Sequence, residues 1–134
     1  STTGASVVST NTDINGIYQF VGLTAGTYTV TPSKIGQVNG ISNADATAVA
    51  QSVANLISLT PNQQAAADVS GNGSVSSLDA TYIAQYVASV PNPGLSGAWR
   101  FSPSNRSYPN LQTNLTNENY SAILLGEVTG NWNP

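Results

Sequence analysis

The sequence predicts an α+β fold in which antiparallel β segments from both ends of the chain flank an inserted pair of helices. Three observations carry this. Residues 12–32 are rich in β-branched and aromatic types with turn signals between them, residues 41–53 recur as residues 75–87 with helical periodicity, and β character returns after residue 92. The chain divides accordingly into 1–33, 34–91 and 92–134.

Taken in order, residues 1–10 are small and polar. Ala5 and Val7 lie on one side of a period-two pattern and Val8 on the other, so the segment reads as a weak strand or a flexible arm. Asn15-Gly16 is a tight-turn signal, Ile17, Tyr18 and Phe20 form a β-rich run, and residues 27–31 alternate around Tyr28 and Val30. Pro32 ends the second of these strands, and the composition then turns alanine-rich, which sets a boundary near Ser33.

The repeat comes next. Residues 41–53 align with residues 75–87 at a constant offset of 34, and nine of the thirteen positions are identical or conservatively matched. Each copy carries Ser-x-x-Asp (Ser42 and Asp45, Ser76 and Asp79), in which a Ser hydroxyl caps a helix while Asp sits in the first turn against the positive end of the dipole. Ala46, Val49, Ala50 and Val53, and likewise Ala80, Ile83, Ala84 and Val87, follow the i, i+3, i+4, i+7 spacing. Two narrow, small-residue stripes of this kind can pack closely. Between them, Thr60-Pro61 opens a short helix over residues 62–67 through the preference for Pro at the first helical position. Residues 98–102 and 123–128 then read as two further strands.

Directly before the second repeat helix stands a twelve-residue loop, Asp68-Val69-Ser70-Gly71-Asn72-Gly73-Ser74-Val75-Ser76-Ser77-Leu78-Asp79. Side-chain oxygens fall at positions 1, 3, 5, 9 and 12, Gly73 takes the sharp turn at position 6, Ser74 offers its carbonyl at 7, and Val75 anchors the loop at 8. Calcium needs six or more hard oxygens, and a loop that alternates ligand and spacer supplies them in this order. Asp68, Ser70, Asn72, Ser74, Ser76 (through water) and Asp79 are the expected ligands of one Ca²⁺. The alternative is an Asx/Gly-rich turn before a capped helix, with no metal. With two carboxylates only, the expected affinity is weak, on the order of 10⁻⁴ M. The corresponding stretch before the first helix, residues 34–40, has Lys34 near the place of the first Asp, so it is expected to hold no ion. Residues 126–131, Gly-Glu-Val-Thr-Gly-Asn, echo residues 68–72, but no twelfth position follows them and a strand and turn is the expectation there.

Residues 35–90 resemble type I dockerin modules, duplicated calcium-loop and helix units. The resemblance implies an extracellular, cell-surface setting and a cohesin-like partner. Residues 12–32, with Thr-Asp-x-x-Gly-x-Tyr-x-Phe and then Leu23-x-x-Gly26-x-Tyr28-x-Val30-x-Pro32, are similar to the closing half of a carboxypeptidase-regulatory-like, prealbumin-type (Ig-like) β-sandwich module of bacterial extracellular proteins. That resemblance implies a sandwich built from N- and C-terminal segments around the helical insert. Only about a dozen residues precede its motif, so the missing strands come either from residues 98–102 and 123–128 or from a neighbouring subunit. In the second case Ala5, Ser6, Val7, Val8 and Ser9 form a donated strand, and head-to-tail donation produces a homo-oligomeric, pilus-like fibre.

Composition narrows the function classes. Three Lys+Arg against six Asp+Glu, with no basic run, leave nucleic-acid binding without its counterion-release drive. Absent Cys and His remove thiolate nucleophiles, zinc sites built on them and Ser–His triads. Of the six acids, Asp45, Asp68 and Asp79 are explained by helix starts and calcium, so no catalytic constellation emerges and a non-enzyme is expected. Apolar runs such as residues 122–125 are too short to span a membrane. Ser, Thr and Asn make up 46 of 134 residues and supply a neutral polar surface; Asn-x-Ser/Thr sequons at Asn72, Asn105, Asn114 and Asn119 make glycans a candidate addition. Trp99, Trp132, Tyr108 and Tyr120 are candidates for a sugar platform or, more commonly, for core packing. The leading expectation is a non-catalytic structural subunit that assembles by strand donation, and the alternative is a dockerin-type anchoring module.

Overall fold

The computed structural model describes residues 7–134. Its elements run β1 (Gly26–Val30), α1 (Asn43–Val53), α2 (Pro61–Ala67), α3 (Ser77–Val87), β2 (Trp99–Ser102), β3 (Arg106–Leu111) and β4 (Ser121–Leu124). The mixed α+β class is therefore observed, and the chain forms two compact units.

The larger unit takes Val30–Arg106 and Asn117–Pro134. Its centre is the pair α1 and α3, whose predicted stripes meet only in part, since Ala50, Val53 and Ala84 are exposed. Val49 and Ile83 are fully buried, with Ala46 and Ala80 packed alongside. Small residues on both faces let the two helix axes approach, and each buried branched side chain contributes about 1.5–3 kcal/mol relative to exposure. Helix α2 begins as its sequence dictates: Thr60 Oγ1 accepts the Gln63 N–H at 3.2 Å, Gln63 Oε1 accepts the Thr60 N–H at 2.9 Å, and Pro61 sits at the first helical position. It ends in the buried residues Ala66 and Ala67.

Strands β2 and β4 pair antiparallel, with Trp99 opposite Leu124 and Ser102 opposite Ser121. Ile123, Leu125 and Val128 join Val49, Ala66, Ala67, Val69 and Ile83 in one core. The C-terminal residues thus return to the helices, and β4 stops at Leu124, so the strand expected to run to residue 128 is shorter and shifted. Residues 125–128 pack into the core from an irregular path instead.

The smaller unit joins the N-terminal residues up to Thr29 with Ser107–Thr116 and holds the pairing of β1 with β3. Strand β1 alternates between half-buried and exposed positions, with Tyr28 turned inward and its hydroxyl donating to the Thr24 carbonyl at 2.6 Å. The β-rich run at residues 17–20 forms no strand, although Tyr18 and Phe20 do meet edge to face at 6.2 Å. Among the described residues the strands form two separate two-stranded sheets, β1–β3 and β2–β4. The expected sandwich would need further strands over the half-exposed faces of these pairs. Of the arm residues, Ala5 and Ser6 lie outside the described residues; Val7, Val8 and Ser9 are exposed and extended from any strand pairing.

Candidate metal centre

The loop of residues 68–79 lies between α2 and α3 and is wrapped around two carboxylates. Asp68, the last residue of the α2 turn, is 7% exposed; Asp79, in the first turn of α3, is fully buried. Asp68 Oδ1 accepts the N–H groups of Gly71 at 3.1 Å and Asn72 at 3.2 Å and the Ser70 hydroxyl at 3.3 Å, while its Oδ2 accepts the Gly73 N–H at 2.9 Å. Four consecutive residues are thereby folded back on one carboxylate. Gly71 and Gly73 make that path possible, with φ of +73° and +84°.

Asp79 closes the loop from the other side. Its Oδ1 accepts the Ser70 N–H at 2.9 Å, and its Oδ2 accepts the Ser76 N–H at 2.7 Å and the Ser76 hydroxyl at 3.3 Å. Both carboxylates therefore converge on Ser70. The expected capping roles differ between the repeats: Ser42 Oγ accepts the Ala44 N–H at 3.3 Å, whereas the Ser76 hydroxyl turns to Asp79. Asn72 Oδ1 accepts the Ser74 N–H at 2.9 Å, which holds the exposed rim of the loop. Val75 packs against the core and anchors the loop at position 8 as expected, and Val69, fully buried at position 2, is a second anchor.

The donor set suits a hard cation. Among the described residues no place gathers three or more Asp, Glu, His or Cys. A cation at this loop would have two carboxylates and neutral hydroxyl, amide and carbonyl oxygens within the loop, a donor set of the kind calcium takes rather than a soft metal. Asp79 has zero exposure and, among the described residues, no ion pair; three hydrogen bonds meet its carboxylate, and a cation in the loop would balance the charge that remains. The sequence did not point to two features of the surroundings. Arg100 on β2 places Nη1 3.9 Å from Asp68 Oδ2, with its side chain about a third exposed. Gly94, at φ +63°, lies so close to Tyr82 and the Val69 carbonyl that a Cβ there would come within 2.6 Å of each, and the neighbouring Leu95 N–H donates to that carbonyl at 2.7 Å. Both arise from tertiary return of the chain after residue 92.

Residues 36–88 match the family model of the dockerin type I domain. Type I dockerin domains bind Ca²⁺ in EF-hand-like loops, in agreement with the calcium expected at residues 68–79. They are non-catalytic binding modules. No curated protein and no solved structure matches the chain.

Within this dockerin-like segment the stretch before α1 departs from the motif. Lys34 is drawn to two indoles, with Nζ 5.1 Å from the Trp99 ring and 5.7 Å from the Trp132 ring, which themselves meet edge to face at 5.8 Å. Trp99 Nε1 donates to the Gly36 carbonyl at 2.9 Å and Trp132 Nε1 to the Gln37 carbonyl at 2.7 Å. Residues 34–40 are therefore clamped by aromatic side chains rather than wrapped around a carboxylate. The two tryptophans serve packing and backbone recognition here. The tyrosines beside Leu78 are likewise engaged: Tyr82 lies over Gly94 and Tyr86 over Gly97, while Leu78 stays 45% exposed.

Proposed function

We propose that the dockerin-like segment makes this chain a non-catalytic anchoring module of an extracellular or cell-surface protein, which docks on a cohesin-type partner in a calcium-dependent way. The observation that carries this reading is the pairing of the family match over residues 36–88 with a loop whose backbone N–H groups fold onto the carboxylates of Asp68 and Asp79. The ligands are Asp68, Ser70, Asn72, Ser74 and Asp79, with Ser76 acting through water. The chain's own residues do two things. Asp79 couples the loop to the first turn of α3, and Val69 and Val75 couple it to the α1–α3 core, so cation binding at the loop fixes the helix that presents Leu78 to a partner.

The test is binding of the full chain to an immobilised panel of cohesin domains in millimolar calcium and in chelator. Saturable binding that disappears in chelator supports the reading; absence of binding to every member in calcium overturns it.

A second reading, assembly into a pilus-like fibre by donation of residues 5–9, is favoured by exposed apolar side chains in the N-terminal region. Val7, Ile14, Ile17 and Val21 are 61–100% exposed, and β1 pairs with a single strand. Here the Ig-like module is completed by a neighbour's arm. Light scattering and negative-stain imaging of the native chain in calcium decide it: long uniform fibres that vanish on deletion of residues 1–10 support donation, and a monodisperse monomer overturns it.

A further inference from the structure

The residues 126–131 that echo the calcium loop do not stand alone in space. Glu127, Thr129 and Asn131 correspond to Asp68, Ser70 and Asn72 at a constant offset of 59, while Gly40, Ile41, Ser42 and Asp45 correspond to Ser74, Val75, Ser76 and Asp79 at the repeat offset of 34. The two offsets are independent features of the sequence, and the fold brings the two fragments together.

The hydrogen bonds then agree position by position. Asp79 Oδ1 accepts the N–H of Ser70 at 2.9 Å, and Asp45 Oδ1 accepts the N–H of Thr129 at 2.9 Å. Asp79 Oδ2 accepts the Ser76 N–H at 2.7 Å, and Asp45 Oδ2 accepts the Ser42 N–H at 2.8 Å. Asp68 Oδ1 takes Gly71 N–H, Asn72 N–H and the Ser70 hydroxyl; Glu127 Oε1 takes Gly130 N–H at 2.8 Å, Asn131 N–H at 2.8 Å and the Thr129 hydroxyl at 3.4 Å. The fourth position is a left-handed glycine in both, Gly71 at φ +73° and Gly130 at φ +84°. The second is a buried valine in both, Val69 and Val128.

Where the chain is broken, the join is tight. Gly40 has φ +85°, and a Cβ on it would lie 2.9 Å from the backbone carbon of Asn131 and from the nitrogen of Trp132. Asn39 and Asn133 lock the same junction reciprocally, each bond 2.7 Å.

Charge gives a separate reason to expect a ligand. Asp45 is fully buried, and the Thr129 hydroxyl links it at 3.0 Å to Glu127 at 3.4 Å. Two carboxylates thus face one hydroxyl, and among the described residues neither has an ion pair; Lys34 is engaged with Trp99 and Trp132, Arg100 with Asp68 and Arg106 with Tyr120. A cation between the two carboxylates would offset the repulsion that the hydrogen bonds to Asp45 and Glu127 leave.

We infer that Glu127, Thr129 and Asn131 combine with Gly40, Ser42 and Asp45 into a second, discontinuous site for a hard divalent cation of the calcium type. The site takes positions 1, 3 and 5 from the C-terminal segment and positions 7, 9 and 12 from the residues leading into α1. It replaces the contiguous first loop, whose Lys34 cannot serve as a ligand. The inference rests on the calcium reading of residues 68–79 as its template.

Titration calorimetry of the full chain with calcium chloride, after chelator treatment, tests it with Glu127→Gln and Asp79→Asn. Both substitutions keep one side-chain oxygen acceptor and remove the charge, Asp79→Asn also giving up one of the two acceptors that hold the Ser70 and Ser76 N–H groups, and circular dichroism verifies the fold. The expected result is two ions per chain for the wild type, with one lost in each variant and a calcium-dependent rise in melting temperature retained by Asp79→Asn. A wild type that binds one ion, with Glu127→Gln unchanged, overturns the split site and leaves the contiguous loop standing. One ion kept by Asp79→Asn and lost in Glu127→Gln supports the split site and removes the contiguous one. No uptake by the wild type overturns both.

Discussion

Asp68 has two suitors. The loop that folds four backbone and side-chain donors onto its carboxylate also leaves Arg100 3.9 Å from its outer oxygen. A partly exposed ion pair of this kind is worth about 0–1 kcal/mol, so it competes with calcium without excluding it. Arg100→Gln should therefore tighten calcium binding, by up to about fivefold, as read by calorimetry. Asp79→Ala should abolish binding at this loop. With a dissociation constant near 10⁻⁴ M and calcium at a hundredfold excess over it, this loop contributes about 2.7 kcal/mol of calcium-dependent stability, and urea unfolding with and without calcium should show that contribution missing in the variant while the part owed to the second site remains. At this scale the sequence was informative because alternation of oxygen-bearing side chains and glycines along twelve residues is a local pattern. Arg100 was not legible, since its approach to Asp68 depends on the pairing of β2 with β4, both of which follow the loop in sequence.

Among the elements, the helices were the most legible and the strands the least. Ser-x-x-Asp starts, the Thr60-Pro61 start and the stripe of Val49, Ala46, Ile83 and Ala80 all encode helices locally, and α1, α2 and α3 begin where these signals fall. Ile83→Ala should cost about 2–5 kcal/mol in chemical denaturation, because the side chain is fully enclosed between α1 and α3 and the cavity left behind cannot be filled by alanine-sized neighbours. A strand, by contrast, needs a partner. Residues 17–20 have strong β composition but pair with no strand among the described residues, whereas residues 106–111, Arg-Ser-Tyr-Pro-Asn-Leu, look like a polar connection and nevertheless pair with β1. Pro109 is tolerated there because a two-stranded sheet is all edge, and its carbonyl accepts the Thr27 hydroxyl at 2.7 Å.

In the molecule as a whole, the helical unit is assembled from distant stretches of chain. Val128 and Thr129 donate to Asp45 across 83 and 84 positions, Gly126 N–H reaches the Ala66 carbonyl at 2.8 Å, and Asn133 meets Asn39. Sequence reading identified each fragment and missed their union, because the pattern of residues 126–131 is completed only by residues that precede it by more than eighty places. Deletion of residues 126–134 should therefore destabilise α1 selectively. Hydrogen exchange should show amides of residues 43–53 losing protection more than those of residues 77–87, whose own loop remains intact. The junction at Gly40 has a further consequence for how the chain reaches this state. On a ribosome or through an export channel, the loop of residues 68–79 emerges with its hydrogen-bonding partners close by, whereas residues 40–45 wait for residues 127–133. Maturation then has a fixed order, the contiguous loop settling first, and a protease acting on the nascent chain should find residues 34–42 open until residues 127–133 have been made.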